Sequence, residues 1–108
     1  MHVYLTARHF ELTDSIRQSV ERHLVRAIEE HADAHELNRV EVQLFLGQRD
    51  ARYGCHVLVQ MPQHREVNIT EESDDLYAAI ALAQKRVVHA LTAHREKRQA
   101  SERHAKHA

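Results

Sequence analysis

The chain has 108 residues, 43% of them hydrophobic and 29% charged, which is ordinary for a single soluble globular domain. Its longest apolar run is far shorter than the roughly 20 residues that cross a bilayer, and one cysteine excludes an internal disulfide framework. We expect no signal peptide and a cytoplasmic location. Residues 1–83 contain eight Arg against fourteen acidic residues, whereas residues 84–108 contain seven Lys or Arg against two Glu. This asymmetry indicates either an end that faces a polyanion or a solvated helix face with a basic tail.

The N-terminal third predicts a strand and then an amphipathic helix. Residues 2–7 alternate, with Val3 and Leu5 on one side. Thr13 is a favoured N-cap, and apolar residues at spacings of three and four predict a helix to about residue 34. These apolar residues are Ile16, Val20, Leu24, Ala27 and Ile28.

Three alternating segments in the middle of the chain predict strands. They cover residues 40–46, residues 53–61 and a short segment around Val67 and Ile69. Gly47 ends the first of them, and Pro62 ends the second because it cannot continue a ladder. Cys55 falls on the apolar side, which predicts a small buried hydrophobe rather than a catalytic thiol.

Residues 74–98 predict a long helix with one apolar and one cationic face. Its apolar stripe consists of Leu76, Ile80, Ala83, Val87 and Leu91. Lys85, Arg86, His89 and Lys97 fall on the opposite side. Residues 1–98 are therefore predicted to form the domain, and residues 99–108 a flexible, basic and histidine-rich tail.

The element order β-α-β-β-β-α predicts an α+β fold. The economical arrangement is a four-stranded, mostly antiparallel sheet with both helices packed on one face. The two helices then lie side by side. The channel between their outer faces is predicted to gather Arg22, Arg26, Arg86 and His89.

The sequence has no motif for catalysis or for a structural metal. Its two glycines form no phosphate-binding loop, and no serine stands in a nucleophile elbow. His31 and His35, and likewise His104 and His107, lack a second ligand pair at finger spacing. We therefore predict no enzyme, no cofactor and no metal site. A cationic helix face that neutralises phosphates is the remaining functional feature.

The long basic last helix starts with the segment Asp75-Leu76-Tyr77-Ala78-Ala79-Ile80. This segment resembles the ribosome hibernation-promoting factor / ribosome-associated inhibitor A family, also known as sigma-54 modulation proteins. The stretch from Glu11 to Arg17 looks like the start of the family's first helix. The resemblance implies a fold like that of double-stranded-RNA-binding domains. It also implies binding to rRNA of the small ribosomal subunit, in the channel for mRNA and tRNA, which blocks translation in stationary phase or stress.

The resemblance implies RNA contacts from the facing sides of the two helices. Together with the charge pattern, it gives as candidate RNA-binding residues Arg22, His23, Arg26, Asp75, Tyr77, Lys85, Arg86, His89, His94, Arg95, Lys97 and Arg98. His23 and His89 stand where the family commonly has Lys or Arg, and Ala93 where it often has Lys. We therefore expect weaker electrostatic docking at neutral pH. The alternative for Tyr77 is packing over the sheet edge with its hydroxyl in water.

The chain stops soon after the long helix and so resembles the short form of the family, which tends to act with a second small factor. We expect a monomer off the ribosome, with no membrane and no small-molecule substrate as partners. Two alternatives remain open. One is a regulatory protein-interaction module of the sigma-factor modulation type, and the other is a generic binder of double-stranded RNA.

Overall fold

The fold is a four-stranded sheet with two helical rods on one face. A computed structural model describes residues 2–32, 37–47 and 49–107, with side chains described for 3–32, 37–47 and 49–93. The strands are β1 (His2–Arg8), β2 (Arg39–Leu46), β3 (Tyr53–Met61) and β4 (Arg65–Ser73). The helical segments are α1 (Asp14–Ser19), a π segment (Val20–Val25), α2 (Arg26–His31) and α3 (Leu76–His107). The α1, π and α2 segments follow one another without a break and are together called the first helix.

The strands lie in the order β1-β2-β3-β4, so β1 and β4 form the two edges of the sheet. β1 is parallel to β2, and the other two pairs are antiparallel. The predicted α+β fold with a mostly antiparallel sheet is therefore confirmed. β4 continues to Ser73, beyond the short segment that the alternation of Val67 and Ile69 predicts.

One face of the sheet forms the core with both helices. In the middle of β2, β3 and β4 every second residue is buried, and side chains such as Val42, Val57 and Ile69 belong to one cluster with Leu24 and Ile80. Cys55 is fully buried in this cluster, as predicted. The opposite face of the sheet, called the open face below, is covered by none of the described helices.

The first helix begins as the sequence predicts but is irregular in its middle. The Thr13 hydroxyl accepts a hydrogen bond from the Ile16 amide at 3.2 Å. Ile16, Val20, Leu24 and Ile28 are four residues apart, so in an ideal α-helix this stripe would drift by about 40° at each step. The wider π segment turns less per residue and offsets this drift, which keeps all four side chains buried. The helix ends at His31 rather than near residue 34, and residues 33–36 lie outside the described part.

The long helix α3 is capped by Asp75. The Asp75 backbone carbonyl accepts from the Ala79 amide at 3.0 Å, and its carboxylate accepts from the Tyr77 amide at 3.1 Å. The backbone stays helical to His107, whereas the sequence predicted an end at Arg98. The helix formers Ala, Glu, Gln, Lys and Arg dominate residues 99–107 and account for the continuation without an apolar stripe. The flexibility of residues 99–108 stays a prediction.

Both helices start at the same end of the sheet. β4 is antiparallel to β3 and β3 to β2, so β1, β2 and β4 all point the same way. The first helix follows β1 and α3 follows β4, and each returns across the same face. The two helices are therefore roughly parallel, and α3 packs beside the π segment and α2 of the first helix. None of the described helices is long and apolar enough to span a membrane.

Candidate nucleic-acid interface

Three candidate residues lie together on α3. Lys85, Arg86 and His89 are exposed, and they line one surface depression together with Ile69 of β4. Their positions follow from the buried stripe, because Ala83, Val87 and Leu91 fix which side of the helix faces the core. From Leu76 to Ala93 the helix has no acidic residue, so Lys85 and Arg86 give this part a charge of +2.

The sequence reasoning missed the carboxylate that accompanies this group. The Arg86 guanidinium donates to the Glu71 carboxylate at 2.7 Å, and 57% of the Arg86 side chain remains exposed. Glu71 has the same parity on β4 as the buried residues Val67 and Ile69, so its side chain lies on the helix side of the sheet. Continuing the strand alternation by one step would have found it.

The first helix contributes exposed cations in an acidic setting. Arg22, His23 and Arg26 are all exposed. Arg26 lines a groove against Val3 and Leu5 of β1, which also contains acidic side chains of the first helix. Over Asp14–His31 three Arg stand against four acidic residues, a net charge of −1. The positive charge of the helical layer is therefore concentrated on α3.

The predicted channel between the helices does not hold both arginines that the sequence assigned to it. Arg26 lies in the groove beside β1, and Arg86 is paired with Glu71 on β4. Because β1 and β4 are opposite edges of the sheet, these two cations line opposite margins of the helical layer. The error comes from helix phase. Arg86 immediately precedes the fully buried Val87, so it lies on the flank of α3 rather than on the side that points directly away from the sheet.

Asp75 and Tyr77 have a local structural role at the start of α3. The Asp75 carboxylate is occupied as the N-cap, and the Tyr77 amide is its donor. The Tyr77 side chain is 50% exposed, so part of its ring is available to a partner. The N-cap accounts for Asp75 without any contact to RNA.

Four further candidates, His94, Arg95, Lys97 and Arg98, have side chains outside the described part, although their backbone is helical. The same holds for the side chains of His104 and His107, and His35 lies in the undescribed stretch 33–36. Among the residues with described side chains, no three of His, Cys, Asp or Glu are grouped to hold a metal ion. Burial raises the pKa of the Cys55 thiol to about 12, so this thiol is no nucleophile at neutral pH.

Comparisons with known proteins identify relatives of the whole fold. The sequence model of the family described as "Sigma 54 modulation protein / S30EA ribosomal protein" matches residues 3–99. The crystal structure of the Protein Y N-terminal domain from Thermus thermophilus is similar, with 34% identity and a TM-score of 0.71 over 85% of this chain and 97% of that one. A ribosomal subunit interface protein from Coxiella burnetii has the same fold, with 20% identity and a TM-score of 0.75 over 89% of this chain and 99% of that one. No curated protein sequence matches the chain.

Proposed function

The chain belongs to the sigma 54 modulation protein / S30EA ribosomal protein family, and on that premise we propose that it is a ribosome hibernation factor. It binds the small ribosomal subunit in the channel for mRNA and tRNA, and it blocks translation by occupying that channel in stationary phase or stress. It acts by binding alone, without catalysis or a cofactor. The description of the family as S30EA ribosomal protein supports an association with the ribosome.

The observation on which the proposal chiefly rests is the distribution of charge on α3. The helix has 32 residues and is roughly 48 Å long. A buried stripe from Leu76 to Leu91 fixes it to the sheet, while Lys85, Arg86 and His89 remain exposed. Residues 94–107 add five Lys or Arg against two Glu. A cationic helix of this length can follow several phosphates of a folded RNA.

The surface fits the recognition of RNA shape better than the recognition of base sequence. Cations that contact phosphates supply affinity and position but little base discrimination. On the described part of the helical layer, Tyr77 is the one exposed aromatic residue, and it lies at the start of α3. We therefore propose that the helical layer reads the backbone of structured rRNA. The mixed charge of the first helix makes α3 the principal contact.

Sedimentation with purified small subunits at low and raised salt tests this function. We expect co-sedimentation at low salt that is lost as salt rises, because phosphate contacts release counterions. A large excess of unrelated duplex RNA should not displace the protein. Displacement by any duplex would identify a generic double-stranded-RNA binder. Protein that stays at the top of the gradient at every salt concentration would favour a protein-interaction module.

Two finer points belong to the same proposal. The chain is a monomer off the ribosome, and it does not pair ribosomes without a second small factor. Sucrose-gradient profiles of ribosomes with this protein alone would show inactive single ribosomes. A paired-ribosome peak with this protein alone would contradict the need for a second factor.

A further inference from the structure

A pocket on the open face of the sheet has no part in the helical layer. It lies at the end of the sheet where β1 ends and where the turn after β2 begins. Six of its lining residues matter here: Arg8, Gln43, Phe45, Arg49, His56 and Thr70. The register places Arg8 beside Phe45, and in the next row it places Gln43, His56 and Thr70 side by side. Side chains from all four strands or their ends therefore converge on one pocket.

The floor of the pocket contains an aromatic ring that lies flat on the sheet. Gly54 is the partner of Phe45 in the register, and a Cβ atom at Gly54 would lie 2.1, 2.3 and 2.6 Å from three ring carbons of Phe45. Such similar short distances require the face of the ring, not its edge, to cover Gly54. One ring face is thus against the glycine backbone, and the other is turned outward. A ring held in this way is a platform for stacking a flat aromatic group.

Two arginines line the same pocket as this ring, and neither has a partner among the described residues. Arg8 and Arg49 are exposed, and within the described residues neither side chain makes an ion pair or a hydrogen bond. Asp50 also lines the pocket, and its carboxylate accepts a hydrogen bond from the Arg52 amide at 3.2 Å within the same turn. Glu72 shares the row of Phe45 but lies two strands away, roughly 10 Å across the sheet. Guanidinium groups that lack a carboxylate partner are favourable ligands for a phosphate.

The row beside the ring offers hydrogen-bonding groups. His56 Nδ1 and the Thr70 hydroxyl are 2.7 Å apart, and this bond fixes the orientation of the imidazole. In either tautomer, Nε2 is then left to bond a ligand. The Gln43 side chain adds an amide with both a donor and an acceptor. These groups suit the polar edge of a base or the hydroxyls of a sugar.

We propose that this pocket binds a nucleotide, with the base stacked on Phe45 and the phosphate held between Arg8 and Arg49. The ligand is either a free mononucleotide or an unpaired nucleotide of RNA, since both present the same base, sugar and phosphate. The pocket is on the face of the sheet opposite α3. Nucleotide binding is therefore independent of the proposed contact between the helical layer and rRNA.

Titration of the full chain with adenosine 5′-monophosphate tests the proposal, followed by calorimetry and by NMR shift changes. The variant Arg8→Gln with Arg49→Gln should bind at least about tenfold more weakly, because two charge-assisted contacts are lost. Phe45→Leu should weaken adenosine 5′-monophosphate roughly tenfold but leave the binding of inorganic phosphate unchanged. Arg17→Gln with Arg65→Gln removes the same charge elsewhere and should have no effect. Circular dichroism of each variant verifies the fold.

Each result either supports or overturns the proposal. No binding of adenosine 5′-monophosphate, or equal loss in the pocket and control variants, would overturn it. If Phe45→Leu also weakens the binding of inorganic phosphate, the ring does not act by stacking on the base. A short unpaired oligoadenylate that binds more tightly than the mononucleotide, and depends on the same arginines, would identify RNA as the source. Equal affinities would identify the free nucleotide.

Discussion

The guanidinium of Arg86 and the carboxylate of Glu71 are 2.7 Å apart, which ties a cation of α3 to the edge strand β4. The Arg86 side chain is 57% exposed and that of Glu71 22% exposed. A pair this accessible to water contributes little to folding stability. Its larger effect is on binding, because a phosphate that contacts Arg86 must compete with Glu71.

Removing that competitor should strengthen binding to the ribosome. Glu71→Gln leaves Arg86 free to contact a phosphate, so we expect a several-fold higher affinity for small subunits. The slope of log affinity against log salt should steepen by up to about 0.9, which corresponds to one phosphate contact. Filter binding at four or more salt concentrations measures both quantities. Glu66→Gln changes the same charge on the open face of β4 and should leave the affinity nearly unchanged. Equal gains in the two variants would mean that only net charge matters.

Reversing charge on α3 should abolish ribosome association. Arg86→Glu with Lys97→Glu places two carboxylates on the proposed contact surface, where they repel phosphates. We expect co-sedimentation with small subunits to be lost, while the melting temperature stays within a few degrees of the wild type. Arg39→Glu with Arg65→Glu makes the same change in net charge on the sheet. Retained binding by the α3 variant would show that another surface contacts the ribosome.

The buried stripe of α3 should account for much of the stability of the domain. Ile80 is 1% exposed, and Ile80→Ala leaves a cavity that we expect to lower the free energy of unfolding by about 2–5 kcal/mol. Leu82 is 43% exposed on the same helix, so Leu82→Ala should change this free energy by no more than about 0.5 kcal/mol. Urea denaturation followed by circular dichroism measures the difference. Similar losses in both variants would contradict the orientation of α3.

The contact between Phe45 and Gly54 should show in a double-mutant cycle. Gly54→Ala places a methyl group where the ring lies, and we expect a loss of about 1–3 kcal/mol in the free energy of unfolding. In a Phe45→Ala background the same change should cost much less, because the obstructing ring is absent. Urea denaturation of the four proteins gives the coupling energy. Additive effects would mean that the ring does not cover Gly54 in solution.

The Cys55 thiol should be inert in the folded protein. Burial raises its pKa to about 12 from an ordinary 9.0, so the folded protein keeps this proton where the unfolded chain loses it. The free energy of unfolding should therefore fall as pH rises between about 9 and about 12. Iodoacetamide at mildly alkaline pH should label the protein in urea and scarcely label the native state. Rapid labelling of the native state would contradict the burial of Cys55.

Local patterns in the sequence were sufficient to predict most of the fold. Alternation placed the strands, Thr13 marked the start of the first helix, and the stripe from Leu76 to Leu91 set the buried side of α3. The family inferred from Asp75 to Ile80 is confirmed by the match over residues 3–99. The π segment could not be predicted from local patterns. It offsets the rotation of the apolar stripe around the helix, and this rotation matters only because Ile16, Val20, Leu24 and Ile28 must all face one sheet.

The candidate site was harder to predict than the fold. The prediction that Arg26 and Arg86 line one channel between the helices was wrong. A side chain on the flank of a helix can turn toward the other helix or toward the sheet, and an ion-pair partner decides between the two directions. For Arg86 that partner is Glu71, on a stretch of β4 that the sequence did not assign to the strand. The RNA contacts of the remaining candidates stay predictions.

The shared starting end of the two helices makes the molecule an electric dipole along its length. Asp14, Asp74 and Asp75 lie at the end where both helices begin, together with the cations Arg8 and Arg49, whereas residues 94–107 add five Lys or Arg against two Glu toward the other end of α3. In the field of a polyanion such a molecule experiences a torque as well as an attraction. It would arrive with its C-terminal tip foremost, so its alignment would be decided during diffusion, before any atom makes contact.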